Sequence, residues 1–367
     1  MAVSGVHAGL GQAENVPPVI IEDLLERFHG FPVPSGLFDP STASPALLRE
    51  YGLPPRPDPR TQPFLLQTWD RGFGAPLTLQ EFRFSRDLVE ATTYRPQLRR
   101  VDELPVVETR FETSSNWSGG YITANRDKQF VQIWGLWTIP NNLKLPPPPF
   151  QVPPGIGYVC SNWIGLDGQR LYFDSSLPQI GTVSTLQADG STVAQAWTQW
   201  WARGIANTAP LPLGLAVAPG NQVLSVLTAS DPQNVIFVMV NLSTMTGMAV
   251  MGTAPTVTLP NGTKATPDIA GATAEWILER PAIPGQPTRY NFPDYGHTEF
   301  DVCVAVEGDG VDIFSLFGGL SQDLQGERLI RMYDRLNNPQ RTAYISMPKR
   351  LSDTARRCAS AMAGSVD

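Results

Sequence analysis

The side chains able to do chemistry in this 367-residue chain are carboxylates, amides and tryptophans gathered in three segments: SNWIGLDGQRLYFDSSLPQIGT (161–182), AQAWTQWWARG (194–204) and GATAEWILERP (271–281). Glu275 stands out among them as a lone carboxylate inside the run Ala-Thr-Ala-Glu-Trp-Ile-Leu. On a strand, successive side chains point to opposite faces, so Glu275, Ile277 and Glu279 share one face and Ala274, Trp276 and Leu278 the other. One face of such a strand is core. Glu275 therefore either projects into solvent from the outer face or lies in a groove lined by one sheet. A carboxylate held beside a water can take its proton and return it to a leaving group, which is the chemistry of hydrolysis.

Other chemistries are poorly supplied. The chain has no GxSxG elbow, no HExxH zinc helix, no P-loop and no dinucleotide fingerprint. Its histidines are His7, His29 and His297, and a histidine-based serine or cysteine peptidase would have to rest on His297 with no recognisable partner. Asp189-Gly190-Ser191 has no second copy of the kind aspartic peptidases need and reads as a polar turn. Cys160, Cys303 and Cys358 lack CxxC spacing, so neither a zinc site nor a disulfide framework is expected; Cys160 with Cys303 is the bridge to look for. No metal or cofactor is expected. The net charge is −7 and no Lys/Arg run exceeds a pair such as Arg99-Arg100, which disfavours nucleic acid as a partner. No stretch approaches the roughly 20 apolar residues that span a membrane. The opening MAVSGVHAGLGQAEN lacks a charged start and an apolar run, so a cytoplasmic location is expected as written, and secretion only if the true start lies upstream. A monomer is the expected state.

The elements that must position these residues are short strands. Hydrophobic residues make up 42% of the chain and charged ones only 17%, with 35 Pro and 32 Gly, the profile of many strands joined by turns. Runs at 130–139, 221–229, 235–241, 272–278 and 299–306 are rich in aromatic and β-branched residues and bounded by Gly, Pro, Asn and Asp. No helical periodicity is sustained there. Residues 111–306 are thus expected to form an all-β sandwich. Residues 1–110 differ: a short helix over 20–28 is followed by proline-broken stretches such as YGLPPRPDPRTQP, and we read an irregular arm that packs on the main domain around 51–69 or is removed as a leader near 106–115. LKLPPPPFQVPPG (143–155) is a surface loop. Residues 307–367 form an extension with a hairpin around Asn337-Asn338-Pro339 and a small, polar, unstructured end.

Eight segments, SNWSGG, WGLWTIP, CSNWIGLDG, LPQIGT, AWTQWW, LAVAPGNQVLSVLTAS with FVMVNLST, AEWILERP and FPDYGHTEF, stand in the order found in the glutamic peptidases, or eqolisins. The chain resembles that family, in its bacterial type, over about 114–305. The resemblance implies an antiparallel β-sandwich, a concanavalin/lectin-like jelly roll with a concave substrate face, and an acid-optimum endopeptidase acting on polypeptides without cofactor. It implies Gln179 as catalytic glutamine, Glu275 as catalytic glutamate, and Trp163, Asp167 and Trp197 as groove residues. Asp167 is equally readable as a structural acceptor in its Asp-Gly turn. Two positions depart from the pattern. Gln199 stands where relatives carry Glu in Trp-x-Glu-Trp, and His297 stands where they carry an apolar, Thr or acidic residue.

In this scheme Glu275 is general base and then general acid, and Gln179, neutral at any pH, donates to the oxyanion. The two are expected on neighbouring strands of one sheet. Two other readings remain open: a non-catalytic β-sandwich binding module, and a lectin-like glycoside hydrolase using Glu275 and Glu279, whose acid triplet is broken by Ile277.

Overall fold

Strand-forming residues dominate the computed structural model, which describes residues 23–24, 26–83, 111–125, 127–147, 157–168, 176–202, 210–258, 262–283, 288–308, 312–315, 328–335, 342–350 and 358–361. The arm supplies β1 (Phe28–Gly30), β2 (Leu37–Phe38), α1 (Pro45–Glu50), α2 (Pro63–Phe73) and β3 (Leu77–Leu79). The body begins with β4 (Phe111–Ser114), β5 (Trp117–Thr123), β6 (Phe130–Thr138), β7 (Tyr158–Leu166), β8 (Ser176–Leu186) and β9 (Thr192–Ala202). It continues through β10 (Leu211–Pro212), β11 (Gln222–Asp231), β12 (Asn234–Asn241), β13 (Thr246–Thr253), β14 (Val257–Thr258) and β15 (Lys264–Ala265). It ends with β16 (Thr273–Glu279), β17 (His297–Glu307), β18 (Asp312–Ser315), β19 (Arg328–Arg335), β20 (Thr342–Arg350) and β21 (Cys358–Ala361).

Apart from β14 and β15, which pair only with each other, these strands build two packed sheets, the all-β sandwich that the sequence implies. The front sheet runs β10–β9–β8–β7–β16–β5–β19–β4. The back sheet runs β17–β6–β11–β12–β13, with β18 and β21 on β17 and with β1 and β3 on β13. β20 leaves β19 to pair with β21 and so ties the sheets together. Pairing is antiparallel except where β4 meets β19 and β3 meets β13. Between the sheets lie Ile133, Trp137, Ile164, Ile180, Trp200, Leu227, Trp276 and Cys303.

Alternation makes the front strands present their second set of side chains outward, and that outer face is also buried. Trp117, Tyr121, Trp163, Leu177, Trp197, Ile277 and Ile330 form one cluster on it. The outer face of the back sheet is covered by the arm: Leu48, Leu53, Leu65, Trp69, Phe73 and Leu77 pack on Trp134, Leu136, Leu224, Val226, Val238, Val240, Val302 and Val304.

Several expectations are corrected. The arm is more regular than its prolines suggest, because Pro45 and Pro63 open helices, where a missing N–H costs nothing. In α1 the Ser44 hydroxyl also caps Leu47 N. In α2, Leu65, Thr68, Trp69, Gly72 and Phe73 make the stripe that packs on the back sheet. The helix read at 20–28 gives way to strand at Phe28, and 20–22 lie outside the described residues. No Cys160–Cys303 bridge forms. Both thiols are buried and reduced, Cys303 between the sheets and Cys160 in a separate cluster with Leu278 and Phe292. Arg335 pairs with Thr342 across the hairpin whose turn lies outside the described residues, as does most of the proline-rich loop. β21 occupies part of the end read as unstructured.

Candidate active site

A register row crosses the front sheet and sets the geometry of the site. Gln199 on β9 pairs with Gln179 on β8, Gln179 with Gly165 on β7, Gly165 with Glu275 on β16, and Glu275 with Tyr121 on β5. Directly paired residues project from the same face of a sheet, so all five face outward, away from the inter-sheet core. Gln179 and Glu275 are therefore not on neighbouring strands: β7 runs between them, and their Cα atoms are roughly 10 Å apart by strand spacing. Gly165 is what lets them converge. A Cβ there would lie 2.8 Å from Leu177 Cδ1 and 3.1 Å from Pro178 O, and its absence leaves a flat floor between the two longer side chains.

The amide of Gln179 is held from one side, where Nε2 donates to Gln199 Oε1 at 2.6 Å. Both glutamines are buried, and Gln179 Oε1 has no donor among the described residues. Thr273 Oγ1 donates to Glu275 Oε1 at 3.0 Å. Near Oε2 the chain runs through Gly168, where a Cβ would come to 3.3 Å; the backbone there has φ +98°, a conformation suited to glycine. Glu275 itself is 0% exposed.

Tryptophans wall the row. Trp197, Gly181, Trp163 and Ile277 form the parallel row beside it. Trp163 Nε1 donates to Glu279 Oε2 at 2.8 Å and its ring meets that of Trp117 edge to face at 5.0 Å. Trp197 Nε1 donates to Ser161 Oγ at 3.1 Å. Each indole is thus held at its polar edge, leaving its faces to exclude water.

Asp167 sits at the end of β7 with φ +66° and accepts three backbone N–H bonds: Ala270 and Gly271 to Oδ2, Ala272 to Oδ1. Those residues lead into β16, so its carboxyl fixes the strand that carries Glu275. Burial pushes its pKa up to about 6, while the same N–H donors pull the other way.

The structure thus brings together Gln179, Gln199, Glu275, Trp163 and Trp197 on one face and puts Asp167 at its edge. His297 lies elsewhere, exposed and bonded to Glu299 at 2.7 Å. Sequence reasoning missed Tyr121, Trp117, Thr273 and Ser161, and took Glu279 only as an acid for a sugar site. Parity along β16 was the one signal that pointed to Glu279. Among the described residues, no group of three His, Cys, Asp or Glu side chains is placed to hold a metal ion, and no helix is long and apolar enough to cross a membrane.

Residues 115–333 match the peptidase A4 family. Similar solved structures include scytalido-glutamic peptidase with a peptide-based transition-state analogue, at 15% identity and TM-score 0.47, covering 68% of this chain and 98% of that one. The aspergilloglutamic peptidase from Aspergillus niger is similar at 17% identity and TM-score 0.40, covering 56% of this chain and 99% of that one. No curated protein matches the sequence.

Proposed function

This chain belongs to the peptidase A4 family, the glutamic peptidases, and from that premise we propose that Glu275 and Gln179 are the groups that hydrolyse the peptide bond. The observation that carries the reading is their placement on one buried face with only Gly165 between them. Glu275 takes a proton from the attacking water, then hands it to the departing amine. Thr273, donating to Oε1, orients the carboxylate. One N–H of Gln179 is committed to Gln199 and the other is available to the oxyanion of the tetrahedral intermediate, where a fixed donor contributes about 3 kcal/mol. Gln199 needs only to accept for this alignment, and an amide oxygen does so at any pH. Trp163 and Trp197 exclude water and flank an extended peptide. Asp167 acts at one remove, by holding the segment that leads into β16.

The acid optimum that the family implies is compatible with Asp167, whose burial-raised pKa of about 6 makes the fold most stable in acid. The sugar-cleaving alternative would need Glu279 as its second acid, and that carboxylate serves here as the acceptor that holds the Trp163 indole, with Ile277 where the acid triplet needs its middle member.

The test is casein digestion across about pH 2–7, with laminarin in parallel, on the parent chain, Glu275→Gln and Gln179→Ala. We expect acid cleavage of casein only. Rates should fall about a thousandfold in Glu275→Gln and about a hundredfold in Gln179→Ala, with unchanged circular dichroism. A parent chain that binds casein without cutting it would identify a binding module instead.

A further inference from the structure

The row through the site does not stop at Tyr121. Tyr121 pairs in turn with Arg328 on β19, so a residue from the C-terminal extension continues the line Gln199–Gln179–Gly165–Glu275–Tyr121 on the same face. Exposure rises along it. Glu275 is 0% exposed and Tyr121 4%, whereas the side chain of Arg328 is 58% exposed and that of Glu112, beside the row, 23%. This is the open end of an otherwise sealed row, and a peptide arriving from that side meets Arg328 before it meets Glu275.

Arg328 is weakly engaged there. Among the described residues its one polar contact is Nη1 to Glu112 Oε1, at a long 3.4 Å. The same oxygen already accepts the Tyr121 hydroxyl at 2.6 Å, so Tyr121 holds Glu112 in place and the guanidinium keeps donors to offer. Ile330, two residues along β19, packs in the cluster with Trp163 and Ile277 and fixes which way the strand faces. A guanidinium with spare donors at a half-open rim suits a planar carboxylate.

We propose that Arg328 is a specificity-determining residue that pairs with a carboxylate of the bound peptide, about three residues from the scissile bond. The distance follows from the sheet: β19 lies two strands from β16, roughly 10 Å, which an extended chain covers in about three residues. The proposal rests on Glu275 and Gln179 being the reacting pair.

The experiment uses acetylated, amidated peptides with one scissile bond, carrying Asp, Asn or Lys singly at each of the three positions on either side. kcat/KM is measured on the full chain, and Kd on the Glu275→Gln protein, which should bind without cutting. At one position Asp should be preferred over Asn by about fivefold, mainly in KM and Kd. Arg328→Gln should abolish that preference while leaving kcat on the Asn peptide intact. Arg328→Lys should keep part of it, and Arg328→Glu should turn it toward Lys. A matched series ending in a free carboxylate tells a side-chain carboxylate from a chain end, either of which supports the pairing. Equal Asp/Asn ratios in the parent chain and Arg328→Gln at every position overturn it. If no peptide is cleaved but the Kd preference still depends on Arg328, the subsite stands and the assignment of Glu275 and Gln179 falls; cleavage without preference means the reverse.

Discussion

The outer faces of the two sheets are built from the same alternating strands and are both buried, yet they bury different things. Behind, the arm lays Trp69, Phe73 and their neighbours on Leu224, Val226, Val238 and Val302, a mainly apolar contact with Gln132, bonded to Trp134 and Thr228, on the same face. In front, a comparable set of aromatic side chains surrounds Gln179, Gln199, Glu275 and Glu279, each no more than 1% exposed. A buried polar group is costly unless its hydrogen bonds are met, so the front face carries bonds among fully buried acids and amides, Gln179 to Gln199, Thr273 to Glu275 and Trp163 to Glu279, where the back face buries mostly apolar side chains with the part-buried Trp134–Gln132–Thr228 bonds among them. The back face spends its burial on stability. The front face uses its burial to hold polar groups, Gln179 and Glu275 among them, away from water.

The largest effect expected from breaking this contrast comes from the back. Deleting residues 1–83 exposes a face of about ten large apolar side chains at roughly 1.5–3 kcal/mol each, more than a domain's whole stability of about 5–15 kcal/mol. We expect no cooperative unfolding transition and an insoluble chain. By contrast, a chain clipped between 84 and 110 should keep its arm through size-exclusion chromatography at acid pH. Release of the arm as a free peptide with activity retained would show instead that it is a leader.

Next in size is Trp69→Ala, which removes a fully buried indole and its bond to Pro54 O. A loss of about 3–5 kcal/mol in chemical denaturation is expected, with kcat/KM nearly unchanged under native conditions. A matching loss of activity would mean that the two faces are coupled.

Asp167 gives the third test. Its carboxyl binds a proton more tightly folded, at about 6, than unfolded, at about 4. The folded state therefore holds more protons between those values, and stability is greatest below about pH 4 and falls as pH rises through 6, by about 3 kcal/mol. Melting temperatures at pH 4, 5 and 6 should drop in that order, and Asp167→Asn should flatten the series. A parent chain that melts higher at pH 6 than at pH 4 contradicts the assignment.

The smallest effect is Gln199→Glu. An added negative charge beside the row disfavours a second one at Glu275, so the acid limb of kcat/KM should move to higher pH with the fold unchanged. Superimposable profiles would show that position 199 aligns Gln179 without being electrically linked to Glu275.

Alternation and turn residues were enough to mark an all-β body, the strands around 130–139, 235–241 and 299–306, and the shared face of Glu275 and Glu279, because side-chain direction on a strand is local. Residue type marked out only the three segments, and the resemblance to the glutamic peptidases singled out Gln179, Gln199, Trp163 and Trp197, whose shared face register alone reveals. Local pattern carries no partner, however. It did not disclose that Gly165 separates Gln179 from Glu275, since register between strands distant in sequence is set by packing of the whole sheet. The arm looked broken by its prolines, and only its burial against the back sheet shows them starting helices. Cys160 and Cys303 looked like a pair and lie in different clusters, because a bridge depends on position in space. Arg328, read as part of an appended tail, joins the row of the site because β19 has the free edge of β5 to pair with, a choice that tertiary structure alone could make.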